Sequence, residues 1–154
     1  MLPKHILVPT DLSEGAEQAL DYACELARTL GARIHLLNVI GIPMLGVPEL
    51  GLAVTTTMID QLVIDSQHAI ERLAATRCDA LVGQTLVRTG DARDVINETA
   101  AELGIDLIVM GTHGRRGISR ALLGSVAETV VRSAPCAVLT VRLRDVDDSD
   151  RHAA

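Results

Sequence analysis

Residues 105–132 read "IDLIVMGTHGRRGISRALLGSVAETVVR". A short apolar run (105–110) is followed by a glycine- and arginine-rich stretch (111–125) and then by apolar residues at helical spacing (125–132). That is a buried strand, a loop and a short helix. Five apolar residues among these six, four of them consecutive (Leu107 to Met110), with no polar alternation suit a strand covered on both faces, as in a parallel sheet flanked by helices.

The rest of the chain repeats this order outward from the quoted unit. Residues 4–9, "KHILVP", form a first strand ended by Pro and Asp. Ala16, Leu20, Ala23, Ala27 and Leu30 then mark a helix that Gly31 stops. Ser13 or Asp11 supplies its cap, and Ser13 is the better choice. Residues 33–40 are a second strand, and Met58, Leu62, Val63, Ala69, Ile70 and Leu73 a second helix. Residues 81–87 are a third strand, a third helix opens at Asp91, and residues 136–141 are a fifth strand. The expected fold is α/β: a single domain over residues 1–143, with a five-stranded parallel sheet and helices on both faces. Residues 144–154 are polar and read as a frayed tail. Residues 41–54, with three Gly and two Pro, read as an apolar loop. It packs on its own surface, or serves as a lid or subunit contact.

Composition narrows the function. A length of 154 residues suits one domain, and a hydrophobic fraction of 48% rules out a disordered chain. The core must be aliphatic, because Phe and Trp are absent and Tyr22 is the one aromatic residue. A net charge of −6 and the lack of stacking platforms argue against nucleic acid as a partner. No run approaches the ~18 apolar residues of a membrane span, and no signal peptide is evident, so a cytoplasmic protein is expected. Cys24, Cys78 and Cys136 have no C-x-x-C pairing, which argues against a disulfide framework or zinc site. Cys24 and Cys136 read as small buried hydrophobes. His5, His35 and His68 are scattered and read as structural or surface residues.

The loop at 111–125 holds four glycines and three arginines in an otherwise acidic chain. Glycines let backbone N–H groups approach a ligand, and the loop ends at a helix N-terminus, where unpaired N–H groups favour an anion. A P-loop is excluded, since Lys4 is the only lysine, and G-x-G-x-x-G is absent. What stands here is Gly111-x₂-Gly114-x₉-Gly124-Ser125.

With that motif the chain resembles the universal stress protein family, in its ATP-binding branch. Residues 5–20, "HILVPTDLSEGAEQAL", and 106–142, "DLIVMGTHGRRGISRALLGSVAETVVRSAPCAVLTVR", carry the resemblance to both ends of the domain. It implies an adenine-nucleotide α-hydrolase-like sheet that binds ATP, AMP or ADP. Pro9, Thr10 and Asp11 would lie beside the ribose and phosphates, with Asp11 reaching the sugar hydroxyls or a Mg²⁺ ion. Val39 would meet the adenine through its backbone, and Met110 and Gly111 would border the adenosine. Gly114, Gly124, Ser125 and Val126 would hold phosphates, with His113 close to the phosphate chain. The implied role is a nucleotide-dependent regulatory or interaction module in stress response, with an unidentified protein partner. The last strand, at a sheet edge, is expected to form a homodimer through residues 136–142.

Plainer roles compete at several positions. Ser125-x-x-Glu128 has the form of a capping box, which alone would explain the serine. Asp11 could cap the first helix, and Arg115, Arg116 and Arg120 could be a solvated loop face. Ser125, His113 and Asp11 can be imagined as a nucleophile, base and orienter, but no G-x-S-x-G elbow supports the serine. No catalytic residue is therefore assigned; the alternative is a slow ATPase or phosphotransferase using the same pocket. No His/Cys/acid set has the spacing of a structural metal site.

Overall fold

A computed structural model describes residues 2–41, 51–113 and 123–142, without the side chains of 51–55 and 79. The elements are β1 (His5–Pro9), α1 (Glu14–Leu30), β2 (Arg33–Ile40), α2 (Gly51–Arg77), β3 (Val82–Thr89), α3 (Ala92–Glu102), β4 (Leu107–Gly111), α4 (Ser125–Ser133) and β5 (Ala137–Val141), with a 3-10 turn at Asp79–Leu81. All strand pairs are parallel and the sheet order is β3-β2-β1-β4-β5.

This order follows from what each strand must bury. Ile6 and Val8 face one side and pack with Ala19, Leu20, Ala23 and Ala27 of α1 and Ala74 of α2. Leu7 and Ile108 face the other side and pack with Val95, Ile96 and Ala100 of α3 and Ala127 and Val130 of α4. Period-2 alternation thus sends apolar residues to both faces of the central strands, and no polar face is left there. Among the described residues no helix is long and apolar enough to cross a membrane, and no group of three or more His, Cys, Asp or Glu could hold a metal.

Two expectations need correction. Gly51 to Val54 were expected in a loop, yet they begin α2. Gly, Val and Thr have poor helix propensity, but extending an existing helix gains one hydrogen bond per residue fixed, and no proline lies between Pro48 and the end of α2 at Arg77. Residues 42–50 of that stretch, and Leu143 with the tail 144–154, lie outside the described residues. Two of the three cysteines also pair: Cys24 of α1 and Cys78, just past α2, are joined as a disulfide with Cα atoms 5.6 Å apart. They are 54 residues apart in sequence, so no local spacing announces them.

Capping sets acid sensitivity. Asp91 caps α3, accepting from the Arg93 backbone N–H and from its guanidinium at 2.7 to 2.9 Å. The Arg93 side chain, then its N–H, lower the Asp91 pKa to about 2. Asp106 ties β1 to the start of β4 by accepting from the N–H groups of Lys4 and His5 at 2.8 and 2.9 Å, and these bonds lower its pKa. A carboxylate whose pKa falls on folding stabilises the native state above its unfolded pKa, about 4, and loses that contribution as pH drops through the folded value. Asp91→Asn keeps a good cap but not the charge. Its thermal midpoint is therefore expected to fall less than wild type between about pH 4 and pH 2. Parallel curves for the two proteins in a pH-dependent melt would refute this.

Candidate functional site

In an open parallel sheet, ligands sit beyond the carboxyl ends of the strands, where the strand order reverses. Here the chain leaves β1 toward β2 and leaves β4 toward β5, so the reversal lies between β1 and β4. Pro9, Thr10 and Asp11 follow β1 directly, and Met110, Gly111 and His113 lie at and after the end of β4. Val39 is one strand further out, near the end of β2.

The β1 exit is braced from three directions. The Thr10 N–H donates to the Leu37 carbonyl at 2.8 Å, and the buried Asn38 amide donates to the Thr10 carbonyl at 2.8 Å. Leu12, whose N–H donates to Thr10 Oγ1, holds φ at +62°, a conformation side chains rarely adopt. Ser13 caps α1, accepting from the Ala16 N–H, as its type and position predict. Asp11 is therefore not the cap; its carboxylate accepts from the Ser13 N–H at 3.0 Å and from the Ser13 hydroxyl.

The β4 exit meets α1 and α4 through bare backbone. A Cβ on Gly111 would stand 3.0 Å from the Gly15 carbonyl oxygen, and one on Gly124 would stand 2.9 Å from that of Thr112. At Gly124 the backbone would have to shift to admit a side chain, and at Gly111 the contact would be tight. The Gly124 N–H donates to the same Thr112 carbonyl at 2.8 Å, and the Thr112 N–H donates to Val141 at 3.0 Å. Thr112 thereby ties β4, β5 and the start of α4 together. Its hydroxyl bonds to Nδ1 of His113 at 2.9 Å, while Nε2 of His113 is buried and has no hydrogen-bond partner among the described residues.

The capping box at Ser125 does not form. Gly124 is the N-cap, extended at φ −63° and ψ 153°, with no side-chain cap, and Ser125 is the first helical residue. The Gly124 N–H is held by the Thr112 carbonyl, and the chain turns into the helix from this residue, one position before the serine. Glu128 pairs instead with Arg132 at 2.8 Å. The first helical bond runs from the Glu128 N–H to the Gly124 carbonyl. The N–H groups of Ser125, Val126 and Ala127 precede it and have no intrahelical acceptor. With the helix dipole behind them, they can receive an anion.

Gly114, Arg115, Arg116 and Arg120 lie outside the described residues. The remaining predicted residues, apart from Val39, come from the two adjoining strand exits and the start of α4. Asn38, Thr112 and Gly15 are further parts of this architecture that sequence reading missed. Thr112 stood inside the motif, between two of its named residues. Asn38 had only the weak signal of an amide in a buried strand. His113 has Nδ1 on Thr112 and Nε2 unbonded, so a Ser125–His113–Asp11 relay is not assembled.

A model described as the universal stress protein family matches residues 3–142. Universal stress protein MJ0531 of Methanocaldococcus jannaschii is 32% identical over 145 residues, covering 92% of this chain and 83% of that protein. The solved universal stress protein UspA from Lactobacillus plantarum superposes with a TM-score of 0.78 at 28% identity, covering 90% of this chain and 97% of its own. The universal stress protein from Archaeoglobus fulgidus, solved in complex with dAMP, gives a TM-score of 0.53 at 25% identity, covering 91% and 98%.

Proposed function

Because the chain belongs to the universal stress protein family, we propose that its β1/β4 cleft binds an adenine nucleotide, with ATP as the preferred ligand and AMP or ADP as weaker ones. The observation that carries this reading is the uncapped first turn of α4 beside the unpartnered Nε2 of His113. Backbone N–H groups of Ser125 and Val126, the Ser125 hydroxyl and His113 take the phosphates, joined by Gly114, whereas Gly124, expected as a further N–H donor, has its N–H on the Thr112 carbonyl and instead shapes the turn into α4. Pro9, Thr10 and Asp11 flank the ribose, and Asp11 meets the sugar hydroxyls or a nucleotide-bound Mg²⁺. Met110 and Gly111 border the adenosine, and Val39 meets the base. The dAMP complex of the Archaeoglobus relative supports the ligand class.

The reading continues to a regulatory role. Nucleotide occupancy sets the arrangement of residues 111–125, and a protein partner reads that surface. The chain acts as a homodimer through residues 136–142. β5 supports this as an edge strand, with Ala137 exposed. Equilibrium dialysis with ATP, ADP and AMP, with and without Mg²⁺, tests the nucleotide. Saturable binding at or below millimolar ligand is expected, and none at millimolar ligand overturns the proposal. Sedimentation equilibrium tests the assembly: a dimer that Ala137→Lys weakens is expected, and a monomer at every concentration refutes it.

A further inference from the structure

Glu17, Asp21, Cys24 and Arg28 follow one another along one face of α1 at spacings of three or four residues. All four meet the end of α2. Arg77 pairs with Glu17 at 2.7 Å and Asp21 at 2.8 Å, the Arg28 guanidinium donates to the Arg77 carbonyl at 3.4 Å, and Cys24 joins Cys78. The two cysteines are 1% and 2% exposed, in a cluster with Ala23, Ala27 and Ala74.

We propose that Cys24 and Cys78 are a reversible thiol–disulfide pair, closed by exchange with a small-molecule disulfide, that makes the α1–α2 seam depend on thiol redox state. Three observations support the pair as a two-state element. A Cα separation of 5.6 Å lies within the range that disulfides span. The alanine-rich surroundings also accept two reduced thiols as small hydrophobes, so the reduced chain keeps its packing. Finally, access to the buried sulfurs requires the last turn of α2 to lift. Arg77, which holds that turn, is 39% exposed, and exposed ion pairs resist opening only weakly.

The exchange balances. The Cys78 thiolate attacks one sulfur of the small disulfide and expels one thiolate, leaving a mixed disulfide. The Cys24 thiolate then attacks the Cys78 sulfur and expels the second. Two protein thiols are oxidised, the small disulfide is reduced to two thiols, and the two protons leave with them.

Equilibrating the folded protein with oxidised and reduced glutathione, then alkylating it in denaturant, counts its thiols. Cys136, free in the structure, should be the one thiol alkylated at the oxidising end. All three cysteines of the chain should react at the reducing end, with the same midpoint ratio from both directions. The oxidised form should melt roughly 10 °C higher, because the bridge restricts the unfolded chain. Arg77→Ala should speed exchange at least threefold by freeing the last turn of α2. Cys24→Ala/Cys78→Ala should melt at one temperature in both buffers. Three thiols at every ratio, a bridge that opens only on denaturation, or equal melting of the two forms would each overturn the proposal. If the double variant does not fold, the wild-type titration and melts decide alone.

Discussion

Gly124→Val is expected to weaken nucleotide binding at least 100-fold. The new Cβ would stand 2.9 Å from the Thr112 carbonyl oxygen, which is backbone and cannot swing aside. Either that carbonyl or the start of α4 must move, and both align the N–H donors of Ser125 and Val126. A hydrogen bond to a charged group is worth about 1.5–3 kcal/mol, so two misaligned bonds cost about 3–6 kcal/mol, a factor of at least about 100. The same strain lowers stability by about 1–3 kcal/mol.

Ser125 provides a gentler companion. As the first helical residue it suits proline, whose missing N–H has no intrahelical acceptor to lose. Gly124, at φ −63° and ψ 153°, already has the extended backbone required before proline. Ser125→Pro should therefore fold like wild type and bind nucleotide about tenfold more weakly, for one lost N–H donor. Ser125→Ala separates the hydroxyl from the N–H. Calorimetric titration reads all three variants. Wild-type affinity in folded Gly124→Val and Ser125→Pro would remove α4 from the binding site.

Ile108→Ala should have the largest effect on stability, a loss of about 3–4 kcal/mol, or roughly 10 °C in thermal midpoint. Ile108 is fully buried on β4, paired with Leu7 on β1 and Val138 on β5. Its cluster is built from Val, Ile, Leu and Ala with Met110. Short and β-branched side chains cannot reach into the cavity, so the cavity cost adds to the lost transfer energy. A loss below about 1 kcal/mol in chemical denaturation would mean that this face repacks freely, contrary to the dense core described.

The amino-acid sequence by itself determined the alternation of strands and helices, because the signals for it are local. Unbroken apolar runs at Ile6–Val8 and Leu107–Met110 mark buried strands, and helical spacing from Ala16 to Leu30 marks α1. Ser13 caps α1 through its own neighbours. The spacing of Gly111, Gly114, Gly124 and Ser125 pointed to the family before any contact was known.

What tertiary structure alone decided depends on segments distant in the chain. The order β3-β2-β1-β4-β5 sets the reversal between β1 and β4. Asn38 reaches the Thr10 carbonyl only because β2 lies beside β1. Cys24 meets Cys78 only when α2 closes over α1. The start of α4 turned on one such contact. From local spacing Ser125 and Glu128 form a capping box, but the helix is capped one residue earlier, at Gly124, whose N–H is held by the Thr112 carbonyl. A hydrogen bond between a strand end and a helix start leaves no period in the sequence.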